Sequence, residues 1–255
     1  MNFWQKIEEK LRAWNAQHGC TCDACGAEVF SYPIRRLCEE CEEKLVKNVG
    51  NRSCEKCGRK TLAEGLCLDC KRQLPAFTRG FSAFVYGGEA SALVNRFKQG
   101  KRRLAWFLGE KMSDTFFTAW ENLSQKEGEE ELIILPVPTT ESVLKSRGFN
   151  QAAELVKVVE KRLVERGVRV RADYEILQKR KETPQQKHLD FFKRMQNVLG
   201  AYHVHKRKEC QGKIILLVDD IMTTGATSNE CAKRLFGAGA KKVYFLVSAA
   251  LPEKK

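Results

Sequence analysis

The sequence predicts an α/β fold, a parallel sheet flanked by helices, preceded by a small cysteine-rich module. Three observations carry that expectation. Ile214 to Val218 is a continuous apolar run of mostly branched residues, which suits a strand buried on both faces of a parallel sheet. Leu132 to Val137 and Val243 to Ser248 are further runs of the same kind, with helical patterns between the runs. Ahead of all of them, Cys-x2-Cys occurs four times: Cys22 and Cys25, Cys38 and Cys41, Cys54 and Cys57, Cys67 and Cys70.

A chain of 255 residues that is 43% hydrophobic can bury the core of one α/β domain plus a smaller module. No apolar run approaches the roughly 18 to 20 residues of a membrane-spanning helix, so no transmembrane segment is expected. The first residues lack the apolar core of a secretory signal and contain Glu8 and Glu9, which predicts a cytoplasmic protein. A net charge of +13 points towards polyanionic partners without indicating a mechanism. In that compartment 11 cysteines argue for metal rather than disulfides.

From the N-terminus, Phe3, Trp4, Ile7, Leu11 and Trp14 have the spacing of an amphipathic helix, suited to the chain's own domains or to a membrane surface. The cysteine pairs follow over residues 20–74. Tetrahedral zinc takes four thiolates, so four pairs make two closed structural sites. The simplest pairing is sequential, with Cys22, Cys25, Cys38 and Cys41 in one site and Cys54, Cys57, Cys67 and Cys70 in the other. The spacing leaves an interleaved pairing open. Such a double ribbon suits contact with nucleic acid or a partner, and equally a segment too poor in apolar residues to fold without metal. Cys20 is close enough to be a spare ligand, whereas Cys210 and Cys231 read as ordinary thiols, the latter packed on the sheet.

Gln73 to Arg79, with Pro75, is the joint to a second domain spanning 75–255. Phe81 to Tyr86 is strand-like, and Ala90, Leu93, Val94 and Phe97 mark a helix. Arg96, Lys98, Lys101, Arg102 and Arg103 form a basic cluster that is either a solvated charge run or a phosphate-contacting patch. Leu104 to Trp120 is a second helix and Ser124 to Glu131 an acidic linker. After the Leu132 strand a loop leads to Arg147-Gly148-Phe149-Asn150-Gln151, with Asn150 capping a helix to about Arg166. Strands are expected at Tyr174 to Leu177 and Leu199 to Val204. Gln178 to Val198, polar and aperiodic, reads as a lid.

The last strand of this series leads into the stretch that carries chemistry. Asp219 and Asp220 are expected to end the Ile214 strand. Thr223, Thr224, Gly225, Ala226 and Thr227 then form a small, hydroxyl-bearing loop before a helix marked by Cys231, Ala232, Leu235 and Phe236. Small side chains let backbone N–H groups close on a phosphate, and the helix dipole favours the anion. Paired carboxylates would repel a nucleic-acid backbone but suit vicinal ribose hydroxyls or a cation. A sugar phosphate satisfies both.

At Ile215 to Thr227 the chain resembles the phosphoribosyltransferase family, whose signature is four apolar residues, two acidic ones and a small hydroxyl-rich loop. The cysteine ribbon, RGFNQ at 147–151, TPQQ at 183–186, Arg194 with Asn197, and VDDIMTTGAT at 218–227 together resemble the ComF family, from about Cys22 to Ala250. That resemblance implies a type I phosphoribosyltransferase-like sheet behind a double zinc ribbon and a role in competence and DNA uptake. Single-stranded DNA and other competence proteins would be its partners. It also implies that Asp219 and Asp220 hold the ribose hydroxyls of phosphoribosyl pyrophosphate or a related nucleotide, with Thr223, Thr224, Gly225, Ala226 and Thr227 around the 5-phosphate. Pro138 and Thr139 would lie by the pyrophosphate with Mg²⁺, and Arg147 is the side chain best suited to the same anion. Lys187 and Arg194 could close over the ligand, while His188 reads as incidental. The alternatives are an active transferase on an unidentified nucleobase or amine, and a zinc-stabilised adaptor with a vestigial pocket.

Overall fold

A computed structural model describes residues 20–29, 37–48, 52–127, 131–180 and 196–253. The helix expected over residues 3–14, the strings at 183–186, and Lys187, His188 and Arg194 lie outside these residues, as does the side chain of Cys20. The N-terminal module is built from short pieces. β1 (Cys20–Thr21) pairs antiparallel with β2 (Glu28–Val29), and α1 (Glu39–Glu43) and α2 (Leu68–Arg72) start immediately after Cys38 and Cys67.

The main sheet gathers β3 (Arg79–Val85), β4 (Leu132–Pro136), β5 (Val170–Ala172), β8 (Ile214–Met222) and β9 (Lys242–Ala250) in the order β3-β9-β8-β4-β5, every pairing parallel. Successive side chains of a strand face opposite ways, and β8 commits both faces to the interior. Ile214, Leu216 and Val218 pack with Leu132, Ile134 and Leu246 against α3 (Gly88–Lys98), α4 (Leu104–Glu127) and α6 (Gln151–Glu165). Ile215 and Leu217 pack with Ile133, Leu135 and Phe245 against α8 (Ala226–Gly237) and the antiparallel pair β6 (Leu177–Lys179) and β7 (Tyr202–Val204). Each such side chain stabilises the fold by about 1.5–3 kcal/mol relative to exposure.

Several expectations shift. The helix expected to stop at Trp120 continues to Glu127, into the stretch assigned as an acidic linker. The loop after β4 contains α5 (Glu141–Arg147), because Thr140 caps it through Val143 N at 3.5 Å. Tyr174 to Leu177 is not one strand. The Asp173 carboxylate accepts from Glu175 N at 2.8 Å and Ile176 N at 2.9 Å, and this turn separates β5 from β6. The strand expected from Leu199 begins only at Tyr202, after Gly200 with φ +70°. Between β7 and β8 lies a short helix, α7 (Arg207–Cys210), that begins after Lys206.

The module is joined to the sheet by main chain. Lys47 bridges Phe84, and Val85 N and Asn48 N donate to Val46 O and Ala83 O, so residues 46–48 cover the edge of β3. Further along, Gly80 N donates to Lys56 O at 2.7 Å, and Gly58, at φ +71°, meets Gly80 so closely that a Cβ would lie 2.3 Å from the Gly80 carbonyl oxygen. Gly58→Ala therefore combines left-handed strain with a backbone overlap and should cost upwards of ~3 kcal/mol. Gly65→Ala, also at positive φ but with nothing within 4 Å, should cost about 1 kcal/mol. Chemical unfolding measures both, and equal losses would contradict the close approach.

Candidate functional site

The chain leaves β4 towards β5 on one side and leaves β8 towards β9 on the other, so the strand order reverses between β4 and β8. In an open parallel sheet the carboxyl ends at such a reversal form the crevice where ligands bind. Pro136 is in register with Val218, and Val137 N donates to Val218 O at 2.8 Å. Half-buried Pro138 and Thr139 therefore emerge beside Asp219 and Asp220, and the topology brings these four expected site residues to one edge.

The acidic pair does not end its strand. β9 extends to Ala250 and continues to pair with β8 through Asp219, Ile221 and Met222, which keeps both aspartates in extended backbone. Their side chains are therefore engaged differently. Asp220 Oδ2 lies 3.1 Å from Lys98 Nζ, at the end of α3. Asp219 Oδ1 accepts from Asp220 N at 2.8 Å. Burial, followed by the Asp220 charge, pushes Asp219 up to about 8, against the pull of that amide and of Lys98. Burial first, then the neighbouring charges of Cys231 and Asp219, also raises Tyr202.

Lys98 leaves the basic cluster, whose Lys101, Arg102 and Arg103 stay exposed, although most of its cations have partners within the chain. Arg103 pairs with Asp23 at 2.7 Å, Arg102 with Glu154 at 2.9 Å, and Arg96 donates to Cys22 O at 3.4 Å. Only the folded chain brings Lys98 to Asp220, and no local motif marks the pair.

Between β8 and α8 the loop turns through Gly225 at φ +78°, with Ala226 N donating to Thr224 Oγ1 at 3.4 Å. The first amides of α8 lack intrahelical acceptors and face the positive end of the helix dipole. A shallow cleft is lined there by Asp219, Thr223, Gly225, Ala226 and Thr227, among others. Arg147 closes the exposed end of α5, where its guanidinium donates to Gln151 Oε1 at 3.1 Å. The rest of RGFNQ is a helix-to-helix corner. Gly148 is left-handed, Phe149 packs on Phe97, and Asn150 caps α6 through Ala153 N at 3.3 Å.

The cysteines gather sequentially, Cys22, Cys25, Cys38 and Cys41 in one group and Cys54, Cys57, Cys67 and Cys70 in the other, with all four ligand atoms of each within 4.8 Å of one another. The interleaved pairing is thereby set aside. The donor set fits a thiolate-bound metal. It is all sulfur, and backbone N–H groups point at the sulfurs, from Ala24 and Cys38 to Cys22 Sγ at 3.4 Å and from Cys67 to Cys54 Sγ at 3.3 Å.

A raised Asp219 has a cost that depends on pH. The folded chain keeps a proton that the unfolded chain, at its ordinary value of 3.8, releases. The associated stability is complete below about pH 4 and is lost as pH rises towards about 8. Asp219→Asn removes the titration, so the parent's thermal midpoint should fall relative to the variant's between pH 5 and 8.5 by several degrees, at about 2–4 °C per kcal/mol. Parallel pH profiles of the two proteins would contradict the raised carboxyl.

Residues 120–255, just over half of the chain, match the family model described as Phosphoribosyl transferase domain. The chain is 25% identical to Competence protein ComFC of Bacillus subtilis over 215 residues, covering 81% of this chain and 80% of that protein. It is 27% identical to Competence protein F of Haemophilus influenzae over 228 residues, covering 87% and 86%. Among solved structures, the hypoxanthine-guanine phosphoribosyltransferase of Schistosoma mansoni in complex with IMP matches 60% of this chain and 68% of its own, at 18% identity and a TM-score of 0.34. Similar along most of its length to competence proteins of the ComF type, the chain belongs to the phosphoribosyl transferase domain family.

Proposed function

We propose that this protein binds phosphoribosyl pyrophosphate, or a related nucleotide, as part of DNA handling in competence and DNA uptake. The observation that carries the ligand is the acidic pair and the positive-φ loop lying together at the reversal of the sheet. Thr223, Thr224, Gly225, Ala226 and Thr227 surround the 5-phosphate, and Asp219 and Asp220 accept from the ribose hydroxyls, Asp220 exchanging Lys98 for the ligand. Pro138 and Thr139 border the pyrophosphate, whose charge Mg²⁺ neutralises, with Arg147 as a further cation for it. Each cysteine group holds one structural zinc, closed to water. The names of the similar competence proteins support the biological role, and the net charge of +13 supports association with single-stranded DNA. No helix among the described residues is long and apolar enough to cross a membrane, and the reading places the protein in the cytoplasm with other competence proteins as partners.

A second reading, transfer of the phosphoribosyl group to a nucleobase or amine, uses the same residues. The bond from C1 to the pyrophosphate oxygen breaks, the leaving group takes the electron pair, and the acceptor nitrogen bonds to C1 and releases its proton to water. Release of pyrophosphate on addition of candidate acceptors distinguishes it.

Isothermal titration with phosphoribosyl pyrophosphate and Mg²⁺ should give saturable binding that Asp219→Asn with Asp220→Asn abolishes at unchanged circular dichroism, because an amide replaces the carboxylate of Asp220 and the carboxyl of Asp219, which accepts from a hydroxyl once the ligand displaces its proton. Unchanged titrations would mean that the ligand sits elsewhere. Single-stranded DNA binding, followed by fluorescence anisotropy, should be largely independent of sequence and weaken by roughly 0.7 log units per phosphate contact per decade of salt. Affinity insensitive to salt would contradict a phosphate-contacting surface.

A further inference from the structure

The rear of the phosphate loop rests on the second cysteine group, and one side chain joins them. Arg59 is 5% exposed. Its Nη1 lies 2.8 Å from Asp69 Oδ2, and its Nη2 donates to Thr223 O at 2.8 Å. Asp69 sits in α2 between Cys67 and Cys70, and Arg59's own carbonyl accepts from Cys54 N at 2.8 Å. The guanidinium thus spans from the heart of a sulfur site to the first residue of the loop. A cleft lies between the two, lined by Arg59, Asp69, Cys70, Thr224 and Gly225, among others. Two other ties run in parallel. Ala76 N donates to the buried Asn229 Oδ1 in α8 at 2.7 Å, and the Glu253 carboxylate, beyond β9, accepts from Leu62 N at 3.0 Å and Leu68 N at 2.6 Å.

We propose that Arg59 is a positioning residue that couples metal occupancy of Cys54, Cys57, Cys67 and Cys70 to the shape of the Thr223 to Thr227 loop, and hence to its affinity for a phosphorylated ligand. The ligand half of this coupling rests on the function proposed above. The physical argument is one of shape. α2 is five residues long, too short to persist alone, so a metal closing the sulfur group fixes where Asp69 stands. Asp69 orients the guanidinium, whose planar fork meets the Asp69 carboxylate and the Thr223 carbonyl at once. Without it, the carbonyl of Thr223 loses the donor shown for it and the loop loses its rear support. The first cysteine group is tied instead to the turn before α4 through Asp23 and Arg103 and provides an internal control.

The test uses the full-length, zinc-loaded chain, Arg59→Met and Arg59→Lys, and Asp23→Asn as the control for the first site. Amide exchange over residues 223–229 needs no ligand and should be at least ~10-fold faster in Arg59→Met, while metal analysis still finds about two zinc ions per chain. Arg59→Lys, a point charge that cannot span both acceptors, should fall in between, and Asp23→Asn should exchange like the parent. In the parent, phosphoribosyl pyrophosphate should slow chelation of one zinc and leave the other unaffected, because coupling is reciprocal. Arg59→Met should bind that ligand about 5–150-fold more weakly. Parental exchange in a zinc-retaining Arg59→Met overturns the proposal. So does ligand that binds the parent but protects neither zinc, a comparison that needs no variant and holds if Arg59→Met fails to fold. A parent that binds no ligand but shows the exchange difference refutes the ligand assignment and leaves the mechanical coupling standing.

Discussion

Pairing of β8 on both sides, with β4 at Pro136 to Val218 and with β9 as far as Ala250, is the constraint on which the rest of the structure depends. Five consecutive side chains of β8, Ile214 to Val218, are fully buried on both faces, so a slip by one residue would draw the flanking Lys213 or Asp219 into the apolar interior. That fixed register delivers Asp219 and Asp220 to the carboxyl edge and places the turn at Gly225 against the start of α8. Because β9 continues alongside, the acidic pair is held in extended backbone with one carboxyl bonded to its own chain and the other to Lys98. The site is thus charge-compensated from within before a ligand arrives, and a ligand with hydroxyls and a cation can replace that compensation.

Both cysteine groups reach towards this edge, from different sides. The first is tied through Asp23 and the Cys22 carbonyl to Arg103 and Arg96, which flank Lys98 around the turn between α3 and α4. The second is tied through Asp69 to Arg59 and Thr223. Each group places one aspartate inside a Cys-x2-Cys pair, and each aspartate meets an arginine. Arg96, Lys98, Arg102 and Arg103 thus have partners within the chain, while Lys101, Arg102 and Arg103 remain exposed. The module also caps the edge of β3, which would otherwise present unpaired main chain.

What could be read from the sequence was local. Apolar runs without alternation marked β4, β8 and β9 because both faces of a parallel sheet are buried. Cysteine spacing marked the two groups, since the ligands come in close pairs, although only the fold decided the pairing. Asn150 was readable as a cap because its carboxamide acts within three residues. What escaped was either tertiary or a competition settled by a side chain. The turn at Asp173 overrode a strand-like run, Thr140 raised a helix in an expected loop, and the extension of β8 through its acidic pair required β9 as a partner. Lys98 to Asp220 and Arg59 to Thr223 join distant segments, so charge patterning grouped Lys98 with its basic neighbours and did not single out Arg59.

The most direct measurement is the position of the ligand itself. A crystal structure of the zinc-loaded protein grown with phosphoribosyl pyrophosphate and Mg²⁺ should show the 5-phosphate against the amides of Thr223 to Thr227. The ribose should lie at Asp219 and Asp220, and Lys98 should have withdrawn from the Asp220 carboxylate. Ligand density at any other place, or an empty cradle with the Lys98 pair intact at saturating ligand, would contradict the account.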